Sequence, residues 1–382
     1  MKLTDSILWV GVHDHAIDLF EGQYAVPRGM SYNSYVILDE KCAVMDTVDA
    51  RFAGEWMEKV AAALGDREPD YLIIQHVEPD HSGSILRFLE KYPRVTLAAT
   101  PKALPMLKNF YGAEPENRLE LKADTVLELG SRSLRFVPAP MVHWPEVTLT
   151  YDDGDKVLFS ADAFGKFGAW DTEEPWTDEA RRYYIGIVGK FGAPVQALLK
   201  KAAGLEIAAI CPLHGPVLKE DLGKYLALYD TWSAYRPEEK GILIAYTSVY
   251  GNTRAAAELL GEKLGEKGQK VRVMDLARSD LAEAVAEAFR YDRLVLASTS
   301  YNGGVYPRMR QFAEDLAEHG FQNRKVGILE NGSWAPCAAK TLREKLEGCK
   351  NLAWAEPQVT IRSALDGESK AALEALAADL AE

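Results

Sequence analysis

The chain contains 382 residues, of which 47% are hydrophobic and 26% are charged, so it is long enough for two or three domains with separate cores. Its 44 basic and 57 acidic residues give a net charge of −13, which disfavours nonspecific binding to nucleic acid. The sequence has no run of about 18 apolar residues and no basic N-terminal segment followed by an apolar stretch. We therefore expect a cytoplasmic globular protein without a membrane span or a nucleic-acid partner.

Two histidines, His13 and His15, flank Asp14 near the N-terminus. An alternating pair of this kind is more typical of the solvated face of a strand or turn than of a ligand site. The spacing therefore predicts a solvent-facing pair.

The first chemically distinctive segment follows the apolar run 71–74, which predicts a buried strand. Residues 76–84 read His-Val-Glu-Pro-Asp-His-Ser-Gly-Ser and place two imidazoles and two carboxylates within six residues. A loop so rich in nitrogen and oxygen ligands favours a pair of metal ions over a single ion. The alternative is a polar loop in which Asp80 and Ser82 cap a helix that begins near Ile85, but that role needs only one histidine and one acid.

Three later apolar runs each end shortly before a residue with a metal-ligating side chain: 134–138 before His143, 157–160 before Asp162 and 207–211 before His214. Any one of these residues alone would be more typical of an ordinary polar loop. Strand ends on one rim of a sheet can converge, however, so the four placements together predict one site.

The motif that begins at His76 resembles that of the metallo-β-lactamase fold, whose hydrolases usually carry His-x-His-x-Asp-His. Glu78 stands where that pattern has its second histidine. This replacement is typical of the flavodiiron proteins, a family that reduces dioxygen or nitric oxide. A carboxylate is a harder ligand than imidazole, so the change shifts the metal preference from zinc toward iron or manganese. The resemblance implies an αββα sandwich for the first domain.

The same resemblance implies how the ligands divide between two iron ions. One iron takes His76, Glu78 and His143, the other takes Asp80, His81 and His214, and Asp162 bridges the two. Family members differ at the position of His81, which in some of them does not touch the metal.

The resemblance also singles out three residues near the expected site. Glu21 aligns with a histidine that lies near the diiron pocket in several members, so this position bears on proton supply and on the preference between dioxygen and nitric oxide. Tyr183 and Tyr184 are candidate hydroxyl groups beside the metals, although core packing is expected for at least one of them.

Strands and helices alternate in the second half of the chain. Five such units imply a doubly wound parallel sheet, and the polar, proline-containing stretch 230–240 predicts a boundary between domains 1–237 and 241–382. The predicted strands are 242–246, 271–274, 294–297, 325–329 and 358–361, and the predicted helices are 253–267, 281–289, 307–318, 335–346 and 370–380.

Ligands of such sheets bind at the carboxyl ends of the strands. Small hydroxyl residues, a glycine and a helix N-terminus follow the first strand and form an anion cradle. This loop resembles the phosphate loop of flavodoxins, which holds FMN, and two further strand-end loops resemble those that flank the flavin ring, with Tyr301 and Trp334 as ring covers. The predicted cofactor-binding residues are Ser248, Val249, Tyr250, Gly251, Asn252, Thr253, Ser298, Thr299, Ser300, Tyr301, Asn302, Gly303, Ser333, Trp334 and Ala335.

The resemblance covers both halves in the same order and implies a diiron flavoprotein oxidoreductase. In this class FMN feeds electrons to two irons, which reduce dioxygen to water, nitric oxide to nitrous oxide, or both. Rubredoxin or a reduced deazaflavin cofactor is the implied donor, and a head-to-tail homodimer or a dimer of dimers brings the flavin of one subunit to the irons of another. The four cysteines form no Cys-x-x-Cys pair, which predicts neither a rubredoxin module nor an iron–sulfur cluster.

Two other functions remain open at this point. The first is a dizinc hydrolase of the metallo-β-lactamase type fused to a flavodoxin module, against which Glu78 and the FMN loops argue. The second is an electron carrier whose first domain is catalytically silent, against which the complete set of seven ligands argues.

Overall fold

The computed structural model describes residues 1–112 and 115–382, and the chain divides into two compact units. The first unit comprises Met1–Tyr184 with Ala193–Asp230, and the second comprises Ile185–Gly192 with Thr231–Glu382. Among the described residues, no helix is long and apolar enough to cross a bilayer.

The first unit contains fifteen short strands in its described part. They are β1 (Ile7–Trp9), β2 (Val12–Asp14), β3 (Leu19–Phe20), β4 (Tyr24–Ala25), β5 (Met30–Tyr32), β6 (Tyr35–Ile37), β7 (Ala43–Met45), β8 (Tyr71–Ile74), β9 (Thr96–Ala99), β10 (Arg118–Glu120), β11 (Val126–Glu128), β12 (Ser133–Pro138), β13 (Thr148–Asp152), β14 (Val157–Phe159) and β15 (Ala209–Cys211). One sheet has the strand order β1-β6-β7-β8-β9-β10, and a second has the order β11-β12-β13-β14-β15. Strand β2 pairs with β5, and β3 pairs with β4, outside these sheets.

The helices up to residue 233 are α1 (Ala53–Leu64), α2 (Pro79–Ser82), α3 (Ile85–Lys91), α4 (Ala103–Tyr111), α5 (Trp176–Tyr183), α6 (Gly192–Ala202) and α7 (Leu222–Ser233). Short 3₁₀ turns span Ala50–Phe52 and Gly189–Phe191, and a π-helical turn spans Tyr184–Val188. Helix α1 buries Trp56, Val60 and Leu64, a spacing that lines one face of a helix.

The two sheets of the first unit share one hydrophobic core. Tyr35 and Ile73 from the first sheet and Phe136 and Phe159 from the second belong to the same buried cluster. Each large apolar side chain buried in this way contributes about 1.5–3 kcal/mol. Sheets packed face to face with helices outside them confirm the predicted αββα sandwich.

The second unit is built on one sheet. Its strands are β16 (Glu239–Tyr246), β17 (Val271–Asp275), β18 (Tyr291–Tyr301), β19 (Gly304–Val305), β20 (Lys325–Asn331), β21 (Ala353–Trp354) and β22 (Val359–Ile361), and its helices are α8 (Asn252–Glu266), α9 (Leu281–Arg290), α10 (Pro307–Glu318), α11 (Ala338–Lys345) and α12 (Gly367–Ala381). The order is β17-β16-β18-β20-β21, with β22 also beside β20, and these pairs are all parallel. Residues 241–246 of β16 form one buried run, as expected for a strand covered on both faces. The doubly wound sheet is confirmed.

Among the differences from the sequence-based prediction, two concern the ligand and cofactor loops. Residues 79–82, predicted as a loop, form the single helical turn α2, for which proline is a suitable first residue. The Ser82 hydroxyl donates to the Val77 carbonyl oxygen at 2.7 Å, and Ser84 is the residue that precedes α3. Helix α11 begins at Ala338, three residues later than predicted, where the Ser300 hydroxyl accepts hydrogen bonds from the first free N–H groups.

Candidate metal centre

The seven predicted metal ligands lie together at the carboxyl ends of strands from both sheets of the first unit. Four of them lie between the end of β8 and the end of the single-turn helix α2: His76, Glu78, Asp80 and His81. His143 follows β12, Asp162 follows β14 and His214 follows β15. All four histidines and Asp162 are buried, and Glu78 and Asp80 are partly exposed. The convergence expected from the strand ends is therefore what the fold produces.

The first group consists of His76, Glu78, His143 and one oxygen of Asp162. Oε2 of Glu78 lies 3.0 Å from Nε2 of His76 and 3.2 Å from Nε2 of His143. Oδ2 of Asp162 lies 3.0 Å from Nε2 of His143 and 3.4 Å from Nε2 of His76. Atoms bound to one metal at about 2.0–2.2 Å in a tetrahedral arrangement lie roughly 3.3–3.6 Å apart, so these separations are close to those of a ligand shell.

The second group consists of Asp80, His81 and His214. Nε2 of His81 and Nε2 of His214 lie 3.1 Å apart, and each lies 3.3 Å from Oδ2 of Asp80. Oδ1 of Asp162 lies 3.4 Å from Nε2 of His81 and 3.8 Å from Nε2 of His214. Each oxygen of Asp162 therefore faces a different group, which is the geometry of a bridging carboxylate.

The pocket also has the electrostatic properties of a dinuclear site. Three carboxylates lie close together, and both oxygens of Asp80 and Oδ1 of Asp162 have no hydrogen-bond partner among the described residues. Enclosing carboxylate oxygens that have no hydrogen-bond partner is costly unless cations compensate their charge. Two divalent cations would supply the missing charge, and each would meet two imidazole nitrogens and two carboxylate oxygens. This oxygen-rich donor set suits iron.

Without metal, the imidazoles and carboxylates of the pocket stabilise each other's charged forms. Burial would raise the pKa of Glu78, but hydrogen bonds from His143 and His76 lower it to about 2. Burial would lower the pKa of His143, but its contacts with Asp162 and Glu78 raise it to about 9. A metal ion that binds here therefore replaces protons on the histidines.

Two further residues orient the ligands, and the sequence reasoning missed both. Oε1 of Glu146 lies 2.7 Å from Nδ1 of His76 and accepts a hydrogen bond from the Val77 N–H. Nδ1 of His214 lies 2.8 Å from the Ser31 carbonyl oxygen. Such partners fix the ring orientation and increase the basicity of the ligand. The sequence feature that could have indicated Glu146 is its carboxylate, three residues after the predicted ligand His143.

Replacing Glu146 by Ala should weaken iron binding to the first group by about 10–100-fold, because His76 would lose the acceptor that orients its ring. Competition between the protein and an iron chelator measures this affinity. Glu146→Gln keeps an oxygen acceptor and should lose less, and Glu128→Ala, at an exposed position on β11, is the matched control. Equal affinity in Glu146→Ala and the control would show that Glu146 does not support the ligand.

Strained backbone accompanies the ligand loops. Asp46, Met141, Ala161 and Phe164 have positive φ angles of 52°, 66°, 49° and 67°. Each such conformation costs about 1–3 kcal/mol in a residue other than glycine and persists only where the surroundings enforce it. The Ala161 carbonyl oxygen, for example, accepts a hydrogen bond of 2.8 Å from the Leu213 N–H. The loops before Asp162 and His214 are thus tied together.

Of the three residues that the resemblance singles out, Tyr183 lies beside the second group and Glu21 lies near the first. The Tyr183 ring lies 5.6 Å from the His214 ring, and its buried hydroxyl has no hydrogen-bond partner among the described residues. Tyr184 packs against Tyr229, with ring centroids 5.0 Å apart. Glu21 occupies the β3–β4 turn with φ of 51°, and burial together with the charge of Glu78 raises its pKa.

In the second unit, the predicted cofactor residues lie at the carboxyl ends of the neighbouring strands β16, β18 and β20. Residues 298–301, predicted as a loop, form the last four residues of β18. Gly251 precedes α8 in a left-handed conformation with φ of 90°, and no side chain caps the first N–H groups of this helix. Open space surrounds the position that a Cβ of Gly251 would occupy. A left-handed glycine and free amides at a helix start fit a phosphate group.

Hydroxyl groups and aromatic rings have different roles in these loops. Several hydroxyls hold the loops together: Thr247 with Ser298 at 2.9 Å, Thr253 with Thr299 at 3.1 Å and Ser333 with Ser363 at 2.7 Å. The Ser300 hydroxyl accepts from the Cys337 N–H at 2.8 Å. By contrast, Trp334 is 89% exposed and Tyr301 is 44% exposed, which leaves both rings available to cover a flavin.

The remaining predicted residues complete the same edge of the sheet. Asn302 and Gly303 have φ angles of 50° and 73° and form the turn between β18 and β19. Val249 and Tyr250 are exposed, Tyr250 by 93%. Ala335 lies between β20 and α11.

Comparison with known proteins matches each half of the chain. Residues 30–215 match the ODP family of β-lactamases, and residues 244–352 match flavodoxin. An anaerobic nitric oxide reductase flavorubredoxin of Aliivibrio fischeri is 29% identical over 91% of this chain and 72% of its own length. The flavodiiron protein of Giardia intestinalis superposes with a TM-score of 0.93 at 27% identity, over 99% of this chain and 95% of that one. Rubredoxin oxygen:oxidoreductase of Desulfovibrio gigas gives a TM-score of 0.93 at 24% identity over 100% of this chain and 97% of that one, which shows the shared fold.

A β-lactamase-like domain with two adjoining ligand groups, followed by a flavodoxin domain, defines a two-domain flavin and metal protein. In both domains and in their order, the chain is similar to the flavodiiron proteins.

Proposed function

We propose that this protein is a diiron flavoprotein oxidoreductase that reduces dioxygen to water, nitric oxide to nitrous oxide, or both. The observation that carries the proposal is the pair of ligand groups that share Asp162, with Glu78 where zinc hydrolases have a histidine. The related nitric oxide reductase and flavodiiron protein support the same activity. A dizinc hydrolase is less well supported, because each group offers two hard oxygen donors and a flavodoxin domain has no role in hydrolysis.

We assign the metals to specific residues on this basis. His76, Glu78 and His143 hold one iron, Asp80, His81 and His214 hold the other, and Asp162 bridges them. His81 is included because its Nε2 lies 3.1 Å from Nε2 of His214, which puts both nitrogens within reach of one iron. The three carboxylates leave a net charge of about +1 with two ferrous ions, which limits the electrostatic cost of burial.

The reaction determines which protons and hydrogen bonds the surrounding side chains must supply. Two ferrous ions and FMN, when bound, supply the site for a diatomic molecule and the electrons that reduce it. Dioxygen needs four electrons and four protons to become two waters, and two nitric oxides need two of each to become nitrous oxide and water. The Tyr183 hydroxyl can donate a hydrogen bond into the pocket, and Phe20 and Phe167 limit the access of water around His214.

The flavin belongs to the second domain. We propose that residues 248–253 hold the phosphate of FMN, that residues 298–303 and 333–335 contact the ring, and that Tyr301 and Trp334 cover its faces. The domains would be 1–237 for the diiron site and 241–382 for FMN. A rubredoxin or a reduced deazaflavin is the proposed donor, and a head-to-tail homodimer or dimer of dimers would pair each flavin with the irons of another subunit.

Anaerobic reduction followed by rapid mixing tests the proposed reaction. The reduced holoprotein should reoxidise its FMN upon mixing with nitric oxide or dioxygen, and nitrous oxide should accumulate in the nitric oxide experiment. Protein depleted of iron but loaded with FMN is the control, with nitric oxide as the decisive substrate because flavins themselves react with dioxygen. Equal rates with and without iron for both gases would contradict the proposal.

A further inference from the structure

A second cluster of metal-ligating side chains lies in the first unit, apart from the seven residues assigned to iron. Nε2 of His15 lies 3.0 Å from Oδ2 of Asp171, and Nδ1 of His13 lies 4.0 Å from Oδ1 of the same carboxylate. His13 is on β2 and His15 lies one residue beyond it, so both rings project from the same side of the strand. The side chain of His15 is 54% exposed and that of His13 is 17% exposed, so only His15 is solvated in the way the sequence predicts.

We propose that His13, His15 and Asp171 bind a divalent transition metal ion of the Zn²⁺ or Cu²⁺ type. Two imidazoles and one carboxylate are a donor set that these ions accept readily. Ligand atoms around such an ion lie roughly 3.3 Å apart. The two nitrogen–oxygen distances in the cluster, 3.0 Å and 4.0 Å, run to different oxygens of Asp171, and the three side chains are less closely grouped than those of either iron group, whose ligand atoms all lie within 4.8 Å of one another.

A small movement of His15 would complete the site. The ring centroids of His13 and His15 are 6.0 Å apart, whereas those of the two histidines within each iron group are 5.2 Å and 4.6 Å apart. His15 is half-exposed and can turn toward His13 without displacing the core. His13, by contrast, is fixed between Trp9 and Trp170, each with its ring centroid 5.1 Å away.

The surroundings of His13 favour the protonation state that binds a metal. Burial lowers the pKa of His13, Asp171 partly opposes this, and His15 and Lys59 lower it further against a smaller effect of Glu55. A neutral imidazole has a free lone pair on one nitrogen, which is what coordination requires.

A single residue, Ser31, contacts both this cluster and the diiron pocket. The Ser31 hydroxyl lies 2.9 Å from Nδ1 of His13 and accepts a hydrogen bond of 3.0 Å from the Trp170 N–H. The carbonyl oxygen of the same Ser31 lies 2.8 Å from Nδ1 of His214. A metal bound to Nδ1 of His13 would replace the Ser31 hydroxyl as its partner. The proposed site therefore has its own ligands but shares one supporting residue with the diiron site.

Titration of oxidised protein, loaded with iron and FMN, with Cu²⁺ tests this proposal by electron paramagnetic resonance. We expect one copper per chain with hyperfine coupling to two nitrogens, while the iron content stays constant. The variant with both His13→Gln and His15→Gln should lose this coupling and bind copper at least about tenfold more weakly. His319→Gln is the matched control and should bind as the unaltered protein does, since His319 is the one remaining histidine outside both sites.

Three results would overturn the proposal. Copper binding of equal strength in the double variant would exclude these ligands, and a signal without nitrogen coupling would exclude imidazole coordination. Release of iron in proportion to bound copper would show that copper enters the diiron site instead. If the double variant loses iron, copper binding is measured in the single His15→Gln variant instead, because this exposed residue supports no core packing.

Discussion

Replacing Asp162 by Asn should lower turnover by more than about 100-fold, a larger loss than the 10–100-fold typical for a residue that only supports a ligand. The two oxygens of Asp162 face different ligand groups, at 3.0 Å from His143 and 3.4 Å from His81. An amide nitrogen cannot ligate as a carboxylate oxygen does, so one metal would lose its bridge and the buried site would lose one negative charge. Steady-state consumption of nitric oxide or dioxygen, together with iron content, measures the effect.

The comparison variant is His81→Asn, which should cost about tenfold or less. It removes one ligand from one group and leaves both carboxylate contacts of Asp162 to the first group intact. Family members also differ in whether this histidine touches the metal. Equal and mild effects of the two variants would contradict the bridging role of Asp162.

Replacing Gly251 by Asp should remove FMN while both irons stay bound. Gly251 adopts φ of 90°, and the start of α8 that it precedes has no side-chain cap. The new side chain would strain the backbone and place a negative charge where the phosphate should meet the helix N–H groups. Turnover with a reduced donor should vanish, yet chemical reduction of the irons should still allow a single round of nitric oxide or dioxygen consumption. Flavin absorbance and iron analysis give both contents.

A matched control separates charge from backbone strain. Gly251→Asn has nearly the same shape as Gly251→Asp, and asparagine tolerates a left-handed conformation, but it carries no charge. It should therefore retain more FMN than the aspartate variant. Retention of one FMN per chain in Gly251→Asp would show that the phosphate does not lie at residues 248–253.

The positions of the candidate ligands at strand ends predicted that these residues lie together, because this argument depends on connectivity alone; that they bind metal stays a prediction. Tyr71–Ile74 is a strand as predicted, and the ligands that follow it converge with those from the second sheet. The helical turn α2 was missed because four residues are too short for a periodic pattern. Glu146 was missed because its contact with His76 joins positions 70 residues apart, which no local spacing reveals.

In the second domain too, elements that depend on local sequence were predicted well, and elements that depend on contacts between distant residues were not. Helix α10 was predicted with its observed limits, since Pro307 marks its start and the apolar spacing persists to its end. Helix α11 was predicted too long because Ser300 and Glu330, from strands β18 and β20, supply the hydrogen bonds that fix its first turn. Ser298 is predicted from sequence to contact the flavin; in the fold its hydroxyl is buried against Thr247, and its contact with the flavin stays a prediction.

Metal and flavin analysis of anaerobically purified protein tests the central claim most directly. The ligand types and the paired groups predict about two iron ions and one FMN per chain, and these irons should be reducible and oxidised again by dioxygen or nitric oxide. Two zinc ions per chain, together with inactivity after the zinc is replaced by iron, would contradict the oxidoreductase account.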